Sequence, residues 1–198
     1  MPPSRAMFVL ILTYLALLGF ARMVGDSYCA LWLPILRVEL KCLLPVDTLL
    51  DVGITNRNGE LVYAARVSVE KKQSAPAGKD SVATLATVST LTGNALQPPI
   101  VVLSLILARV NLNLRRRCLA AAIALPVIAV LFSLDVPFVL AGAVVELLHS
   151  GAEVGDGGAS LLTHYANALD HGGRFALAMV AAAAITEPLA RWGSDRSD

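Results

Sequence analysis

Two apolar runs joined by a cluster of arginines decide the fold of this chain. The first reads PPIVVLSLILARVNLNL from Pro98 to Leu114, and the second reads RRRCLAAAIALPVIAVLFSL from Arg115 to Leu134. At a rise of about 1.5 Å per residue, either run is long enough to cross most of a hydrocarbon core of about 30 Å. We therefore predict transmembrane helices at 98–114 (helix 2) and 118–134 (helix 3).

The arginines between these runs set the orientation of the chain. Arg115, Arg116 and Arg117 lie in a very short link, and short loops dominate the positive-inside rule. The link is therefore predicted to face the cytoplasm, which also places both chain termini there. The sections that follow from this orientation are outer sections at 25–97 and 150–174 and a cytoplasmic tail at 193–198.

The composition is typical of a membrane protein with a modest water-exposed part. Of the 198 residues, 56% are hydrophobic and only 16% are charged, against about 25% charged in an average soluble domain. The mean hydropathy is +0.67. This balance excludes a disordered chain and argues against an ordinary cytosolic globule. The net charge of +1 argues against nucleic acid as a partner, because there is no basic surplus to neutralise phosphates.

Two further apolar runs complete a set of four predicted transmembrane helices. Helix 1 is predicted at 6–24, where an uncleaved anchor is favoured over a cleaved signal peptide because no A-x-A cleavage site follows. Helix 4 is predicted at 175–192, in an alanine-rich run. Asp135 and Pro137 interrupt the long apolar stretch of helix 3, so 136–148 is predicted as a helical extension at or beyond the outer interface.

The outer section between helices 1 and 2 contains strand patterns. An interfacial helix is predicted at 28–44, and a β-hairpin is predicted at 49–70. Asn58-Gly59 between two alternating runs is the strongest short-range signal for a hairpin. The alternation at 81–90 fits a third strand. The predicted fold class is thus mainly α, a polytopic membrane protein of four transmembrane helices with a small extracytoplasmic insertion, containing the β-hairpin, after the first.

Two acidic residues and one alanine are the candidate contact residues. Ionisable groups are costly inside a bilayer and often serve a function there, which applies to Asp135 and Glu187. Both also fit positions near the membrane interfaces, Asp135 outside and Glu187 inside. Ala182 lies in a run of four alanines that lets a neighbouring helix approach closely. Asp135, Glu187 and Ala182 are therefore the predicted partner or helix-packing contacts.

The three cysteines leave several interpretations open. Cys29 and Cys42 both fall on the predicted outer, oxidising side, where a disulfide is chemically allowed. If both lie on one helix, roughly 20 Å separates them and no bridge forms, so packed thiols are favoured. Cys118 lies beside the arginine cluster, where positive neighbours activate a thiol and where palmitoylation is also chemically reasonable. A small residue at a helix start is the simpler interpretation of Cys118.

No pattern in the sequence indicates a catalytic centre or a cofactor. His149, His164 and His171 lie in the predicted outer loop before helix 4, but their spacing matches no compact zinc pattern. The sequence contains no G-x-S-x-G elbow, no phosphate-binding P-loop, no Rossmann glycine pattern and no H-E-x-x-H motif. We therefore expect no catalytic residues, no metal ligands and no cofactor.

The order of these elements resembles that of the small exosortase-associated membrane proteins, in particular the exosortase H-associated type. The likeness rests on LLDV at Leu49–Val52, on STLTGNALQP at Ser89–Pro98 and on the Leu134-Asp135 pair. The glycine-rich loop around 151–158 departs from that pattern. The resemblance implies an inner-membrane accessory to a system that sorts and trims proteins with C-terminal anchors in Gram-negative bacteria. It implies no catalytic residue in this chain.

One function is expected and two alternatives remain. The outer section is too small to form a robust core alone, so we expect it to pack on a partner or on the membrane-facing helix. This favours a non-catalytic accessory or assembly protein of the bacterial inner membrane that partners a larger integral membrane protein such as an exosortase-like enzyme. The alternatives are a small transporter or channel subunit, with Asp135 and Glu187 along one polar path, and a metal-dependent membrane enzyme that uses His164 and His171.

Overall fold

Helices make up most of the chain, with one small antiparallel sheet between the first two helices. The structure, a computed structural model, describes residues 3–45, 48–70, 83–109, 112–151 and 161–191. In chain order the elements are α1 (Pro3–Leu43), β1 (Leu49–Arg57), β2 (Glu60–Glu70), β3 (Ala83–Leu91), α2 (Thr92–Ala108), α3 (Leu114–Gly151), α4 (Leu161–Ala168), a π-helical turn (Leu169–Gly173) and α5 (Arg174–Arg191).

Three helical stretches are long and apolar enough to cross a membrane. They are Ala6–Leu43, Leu114–Leu148 and Leu161–Arg191, the last of which joins α4, the π-helical turn and α5. The fourth helix, α2, is apolar but has only 17 residues, which corresponds to about 25 Å. By length and composition, the structure is therefore compatible with the membrane protein that the sequence predicts.

One continuous helix, α1, replaces the two elements predicted at 6–24 and 28–44. Gly25 does not end this helix. It is buried, and a Cβ built on it would lie 3.1 Å from Cδ1 of Leu96, so the glycine serves close packing against α2. Pro34 also lies inside α1, where it removes only the backbone hydrogen bond to the carbonyl of Ala30. The predicted break was wrong because such local signals are weak against the packing of neighbouring elements.

The start of α2 also differs from the prediction for helix 2. The helix begins at Thr92, so Pro98 and Pro99 lie inside it rather than at its first turn. The hydroxyl of Thr92 donates a hydrogen bond of 2.9 Å to the carbonyl of Leu61 in β2. This bond ties the start of α2 directly to the sheet, which is a long-range interaction that no local pattern reveals.

The residues Asp135 and Pro137 do not interrupt α3. The predicted helix 3 at 118–134 and its extension at 136–148 form a single helix of 38 residues. Near Pro137, the hydroxyl of Tyr165 donates a hydrogen bond of 2.9 Å to the carbonyl of Leu134. This bond joins α4 to α3 at the carbonyl next to that of Ser133, which Pro137 leaves without its helical donor.

Part of the predicted outer loop at 150–174 is helical. It contains α4 and the π-helical turn, which continues into α5, the counterpart of the predicted helix 4 at 175–192. Packing against α3 fixes α4, because a Cβ on Gly142 would lie 3.2 Å from the carbonyl oxygen of Leu162. The rest of that loop at 152–160, the section 71–82 and the tail 193–198 lie outside the described residues.

The sheet contains the predicted hairpin and third strand. Its order is β1-β2-β3 with both pairs antiparallel, and one irregularity in register falls between Leu49 and Asp51. Asn58 and Gly59 have φ values of 56° and 85°, and the side-chain oxygen of Asn56 accepts a bond from the Gly59 N–H. Two consecutive positive φ values are those of a type I′ turn, which suits the twist of a two-residue hairpin.

The chain divides into two compact units. Unit 1 comprises Met1–Ser27, Ala95–Phe132 and Gly172–Asp198, and unit 2 comprises Tyr28–Asn94 and Ser133–His171. The core of unit 1 is formed by α2, α3 and α5 through small and branched residues, among them Val102, Ile106, Ala120, Ala124, Ile128, Ala178, Ala182 and Ile185. Because alanines supply much of this core, the three helices pack closely.

Candidate functional site

Unit 2 is built around the second half of α1 and one face of the sheet. Tyr63 of β2, the middle strand, is fully buried, and its hydroxyl donates a hydrogen bond of 3.0 Å to the carbonyl of Cys29. Its neighbours on the same sheet face, Ala65 and Val67, are also fully buried, and Val52 of β1 is 2% exposed. Burial raises the pKa of Tyr63 above its ordinary value, and the hydrogen bond to Cys29 contributes a smaller effect in the same direction. Tyr63 therefore stays neutral and has a structural role.

A second bond from α1 reaches the edge strand β1. The guanidinium Nε of Arg37 donates a hydrogen bond of 2.9 Å to the carbonyl of Val52. One of the terminal guanidinium nitrogens lies 3.9 Å from the carboxylate of Asp51. Both charged side chains are half or more exposed, so the ion pair itself contributes little free energy. Its value is geometric, because it fixes the register of β1 against α1 next to the irregularity at Asp51.

The same part of α1 carries two apolar faces. The buried face contains Cys29, Leu36 and Leu40, which are 1% or less exposed. The opposite face carries Leu31, Ile35, Val38 and Cys42, at spacings of four, three and four residues, which place them on one side of a helix. Leu31 is 71% exposed, Ile35 41% and Val38 62%, and Cys42 is exposed as well. We call these four residues the α1 stripe, and within the described chain it is left uncovered.

The three predicted contact residues lie in different surroundings. Asp135 of α3 belongs to unit 2, is 3% exposed and has interaction partners within the chain. Glu187 of α5 belongs to unit 1 and pairs with Arg191 one turn later at 3.1 Å, with both side chains mostly exposed. Ala182 is 2% exposed and sits in the core of unit 1, so its packing is against this chain's own helices.

Hydrogen bonds at the start of α3 hold the arginine cluster, and the sequence analysis did not predict them. The side-chain oxygen of Asn113 accepts a bond of 3.0 Å from the backbone N–H of Arg116, which makes Asn113 the N-cap of α3. The Nε of Arg117 donates a hydrogen bond of 2.9 Å to the carbonyl of Leu112. Arg115 remains exposed. The Asn-Leu-Arg-Arg spacing before an apolar run was the available signal for this cap.

None of the three cysteines, all of which lie in the described ranges, forms a disulfide, and the helix geometry explains this for Cys29 and Cys42. Both lie on the continuous helix α1, thirteen residues apart, which corresponds to roughly 20 Å and is far beyond disulfide reach. Cys29 is buried, whereas Cys42 and Cys118 are exposed. The two exposed thiols lie in different units, which makes them useful positions for chemical labelling.

The histidines are dispersed. His164 of α4 and His171 of the π-helical turn are exposed, and Nδ1 of His171 donates 2.7 Å to the carbonyl of Asn167. His149 lies near the end of α3, and its side chain is outside what the structure describes. Within the described ranges, no three side chains of His, Cys, Asp or Glu come together in a group suited to hold a metal ion.

No family model, curated protein or solved structure matches this chain. The feature that asks for an explanation is the α1 stripe, because it is an apolar surface on an element whose opposite face is already buried.

Proposed function

We propose that this chain is a non-catalytic accessory or assembly protein of the bacterial inner membrane that binds a larger integral membrane protein. In this proposal the chain crosses the membrane four times, with both termini in the cytoplasm. The three long apolar helices support membrane insertion, and the arginines before and within the first turn of α3 support the orientation. The uncovered α1 stripe is the single observation on which the proposal of a partner protein rests.

The length of α1 supports this proposal. Its 41 residues correspond to about 61 Å, twice the thickness of a hydrocarbon core of about 30 Å. A span that begins near Ala6 needs about 20 residues and is complete near Gly25. The stripe from Leu31 to Cys42 then lies beyond the hydrocarbon core on the outer side, where lipid tails no longer cover it.

The exposed apolar area of the stripe also supports the proposal. Outside the hydrocarbon core, exposed leucine, isoleucine and valine side chains each forgo about 1.5–3 kcal/mol of stabilisation relative to burial. Three such side chains, followed by Cys42 on the same helix face, form a strip of the kind that a partner helix covers with contacts spaced three and four residues apart. We therefore assign the α1 stripe as the surface that docks on the partner.

The kind of partner follows from the resemblance noted in the sequence. The exosortase-associated proteins that this chain resembles are accessories of a polytopic membrane enzyme. An exosortase-type protein-sorting enzyme is accordingly the partner that we propose. The chemistry of sorting would belong to that enzyme, and this chain would supply contacts and positioning.

Affinity purification of matched variants tests the proposal. Leu31 and Leu85 are two leucines of unit 2 with nearly equal exposure, 71% and 74%, one on the stripe and one on β3. A buried charge without a partner is strongly destabilising in an interface. We expect Leu31→Glu to remove a stoichiometric polytopic protein from the material purified in mild detergent, and Leu85→Glu to retain it.

Two results would contradict the proposal. One is wild-type protein that purifies as a clean homo-oligomer with no other chain. The other is retention of the partner by Leu31→Glu together with its loss in Leu85→Glu, which would move the interface from α1 to the sheet. Mass spectrometry of the co-purified chains distinguishes these outcomes.

A further inference from the structure

A groove in unit 1 runs between α1, α2 and α5. It consists of two hollows of about 690 and 400 Å³ that share Leu10, Leu105 and Met179 in their walls. Hollows of about 300–1,000 Å³ are the usual size of small-ligand sites. We call this feature the unit 1 groove. It is separate from the α1 stripe, which belongs to unit 2.

The hydroxyl groups of Ser104 and Thr186, which line the groove together with Tyr14, are already satisfied. The hydroxyl of Ser104 donates a hydrogen bond of 2.6 Å to the carbonyl of Ile100, and that of Thr186 donates one of 2.8 Å to the carbonyl of Ala182. Each acceptor lies one turn earlier in the same helix. These side chains therefore offer their methylene and methyl surfaces to the groove. An occupant that lies along the walls is apolar.

One end of the groove is positively charged. Arg109, which follows the last residue of α2, lines the larger hollow and is half-buried. In the part of the chain that the structure describes, its guanidinium has no carboxylate partner. The nearest acid in sequence to the groove lining is Glu187, which is paired with Arg191. An anion at Arg109 therefore meets an uncompensated positive charge.

The depth of the groove matches one leaflet of a bilayer. From Arg109 to Val101, the far wall residue on α2, the helix rises by roughly 12 Å. Half of a hydrocarbon core of about 30 Å is about 15 Å. Under the positive-inside rule, Arg109 lies at the cytoplasmic surface, where anionic lipids are concentrated.

From these four observations we infer that the unit 1 groove binds one anionic phospholipid of the cytoplasmic leaflet. An acyl chain lies along the walls formed by Leu10, Leu105 and Met179, and the phosphate pairs with Arg109. The inference rests on the membrane insertion and the orientation proposed above, but it does not depend on the proposed partner protein. A lipid held here would brace α1 against α2 and α5.

Native mass spectrometry of the purified full-length protein tests this assignment. The probes are dioleoylphosphatidylglycerol, which is anionic, and dioleoylphosphatidylcholine, which is zwitterionic with the same acyl chains. We expect tighter binding of the anionic lipid. Arg109→Gln should weaken it about fivefold, whereas Arg115→Gln, which removes an exposed arginine of the same link, should leave it within twofold.

A second pair of variants tests the acyl-chain part of the site. Ala183 lines the groove and Ala184 does not, although both are exposed alanines of α5. Ala183→Phe should fill the groove and weaken binding of both lipids, and Ala184→Phe should change neither. If Ala183→Phe does not fold, the arginine pair still decides the question.

Three outcomes of the lipid-binding measurements would overturn the inference. They are equal affinity for the two lipids, equal effects of Arg109→Gln and Arg115→Gln, and competition by soluble glycerol phosphate as strong as that by the lipid. The third would identify a free-phosphate site instead of a lipid site. A lipid-independent dimer that is lost in Ala183→Phe would also overturn it, because the groove would then hold a second copy of the chain.

Discussion

At the scale of single residues, the structure depends on a few positions where size or backbone freedom is decisive. Gly142 lies in α3 where α4 crosses closely. A Cβ there would lie 3.2 Å from the carbonyl oxygen of Leu162 and 3.3 Å from Cβ of Ala166. Backbone cannot yield as a flexible side chain can. Gly19 of α1 has nothing within 4 Å of the same virtual atom, which makes it a natural control.

We expect Gly142→Ala to lower the thermal unfolding temperature of the detergent-purified protein. Overpacking a close helix contact costs about 1–3 kcal/mol. Gly19→Ala should be neutral or slightly stabilising, because alanine is the better helix former. Circular dichroism during heating measures both. An unchanged midpoint in Gly142→Ala, or an equal loss in both variants, would show that α3 and α4 do not approach as closely as the structure has them.

At the scale of elements, the hairpin is the part that the sequence predicts best. The turn is specified by local sequence, because it requires positive φ at both Asn58 and Gly59 and few other residue types adopt positive φ readily. The continuous helix α1 was not predictable in the same way. Gly25 and Pro34 are break signals by local rules, and only the contact of Gly25 with Leu96 shows why the first does not act as one.

We expect Gly59→Ala to loosen the hairpin and Asn58→Gly to leave it intact. An alanine in the left-handed region costs about 1 kcal/mol or more, whereas glycine accepts it freely. The exposed Arg57 precedes the turn and offers a trypsin site. The rate of cleavage after Arg57 should rise in Gly59→Ala and stay at the wild-type rate in Asn58→Gly. Equal rates in the two variants would contradict the turn geometry.

Long-range interactions explain what the sequence could not reveal about the candidate site. The bond from Tyr63 to Cys29 spans 34 residues, and that from Thr92 to Leu61 spans 31. The apolar spacing of the α1 stripe is visible in the sequence. Its exposure is not, because only the structure shows that the sheet covers the opposite face. The role of Ala182 was likewise open until its burial in unit 1 became clear.

At the scale of the whole molecule, each helical stretch with residues in both units has a backbone irregularity close to the residue where the unit changes. Pro34 lies six residues after Tyr28, where α1 enters unit 2, and Pro137 lies four residues after Ser133, where α3 does so. In α2, Pro98 and Pro99 follow the change of unit closely, and the π-helical turn contains the last change, between His171 and Gly172. Each irregularity removes or shifts backbone hydrogen bonds of its helix.

The two exposed native cysteines report the orientation of the whole chain. In cells, we expect a membrane-impermeant maleimide to label Cys42 from the outer side in a Cys118→Ala variant. In a Cys42→Ala variant, Cys118 should be labelled only after the inner membrane is permeabilised, because it adjoins the cytoplasmic arginine cluster. Cys29 is buried and serves as an internal blank. Labelling of both thiols from the same side would contradict the proposed orientation.

The most direct test of the partner proposal is photo-crosslinking in intact cells at the α1 stripe. A photoreactive amino acid at position 35 lies on the stripe, and the same residue at position 85 on β3 is the matched control. We expect illumination to join position 35, and not position 85, covalently to a larger polytopic membrane protein. Adducts of position 35 with only lipid or a second copy of this chain would contradict the assignment of the stripe as a docking surface for a membrane enzyme.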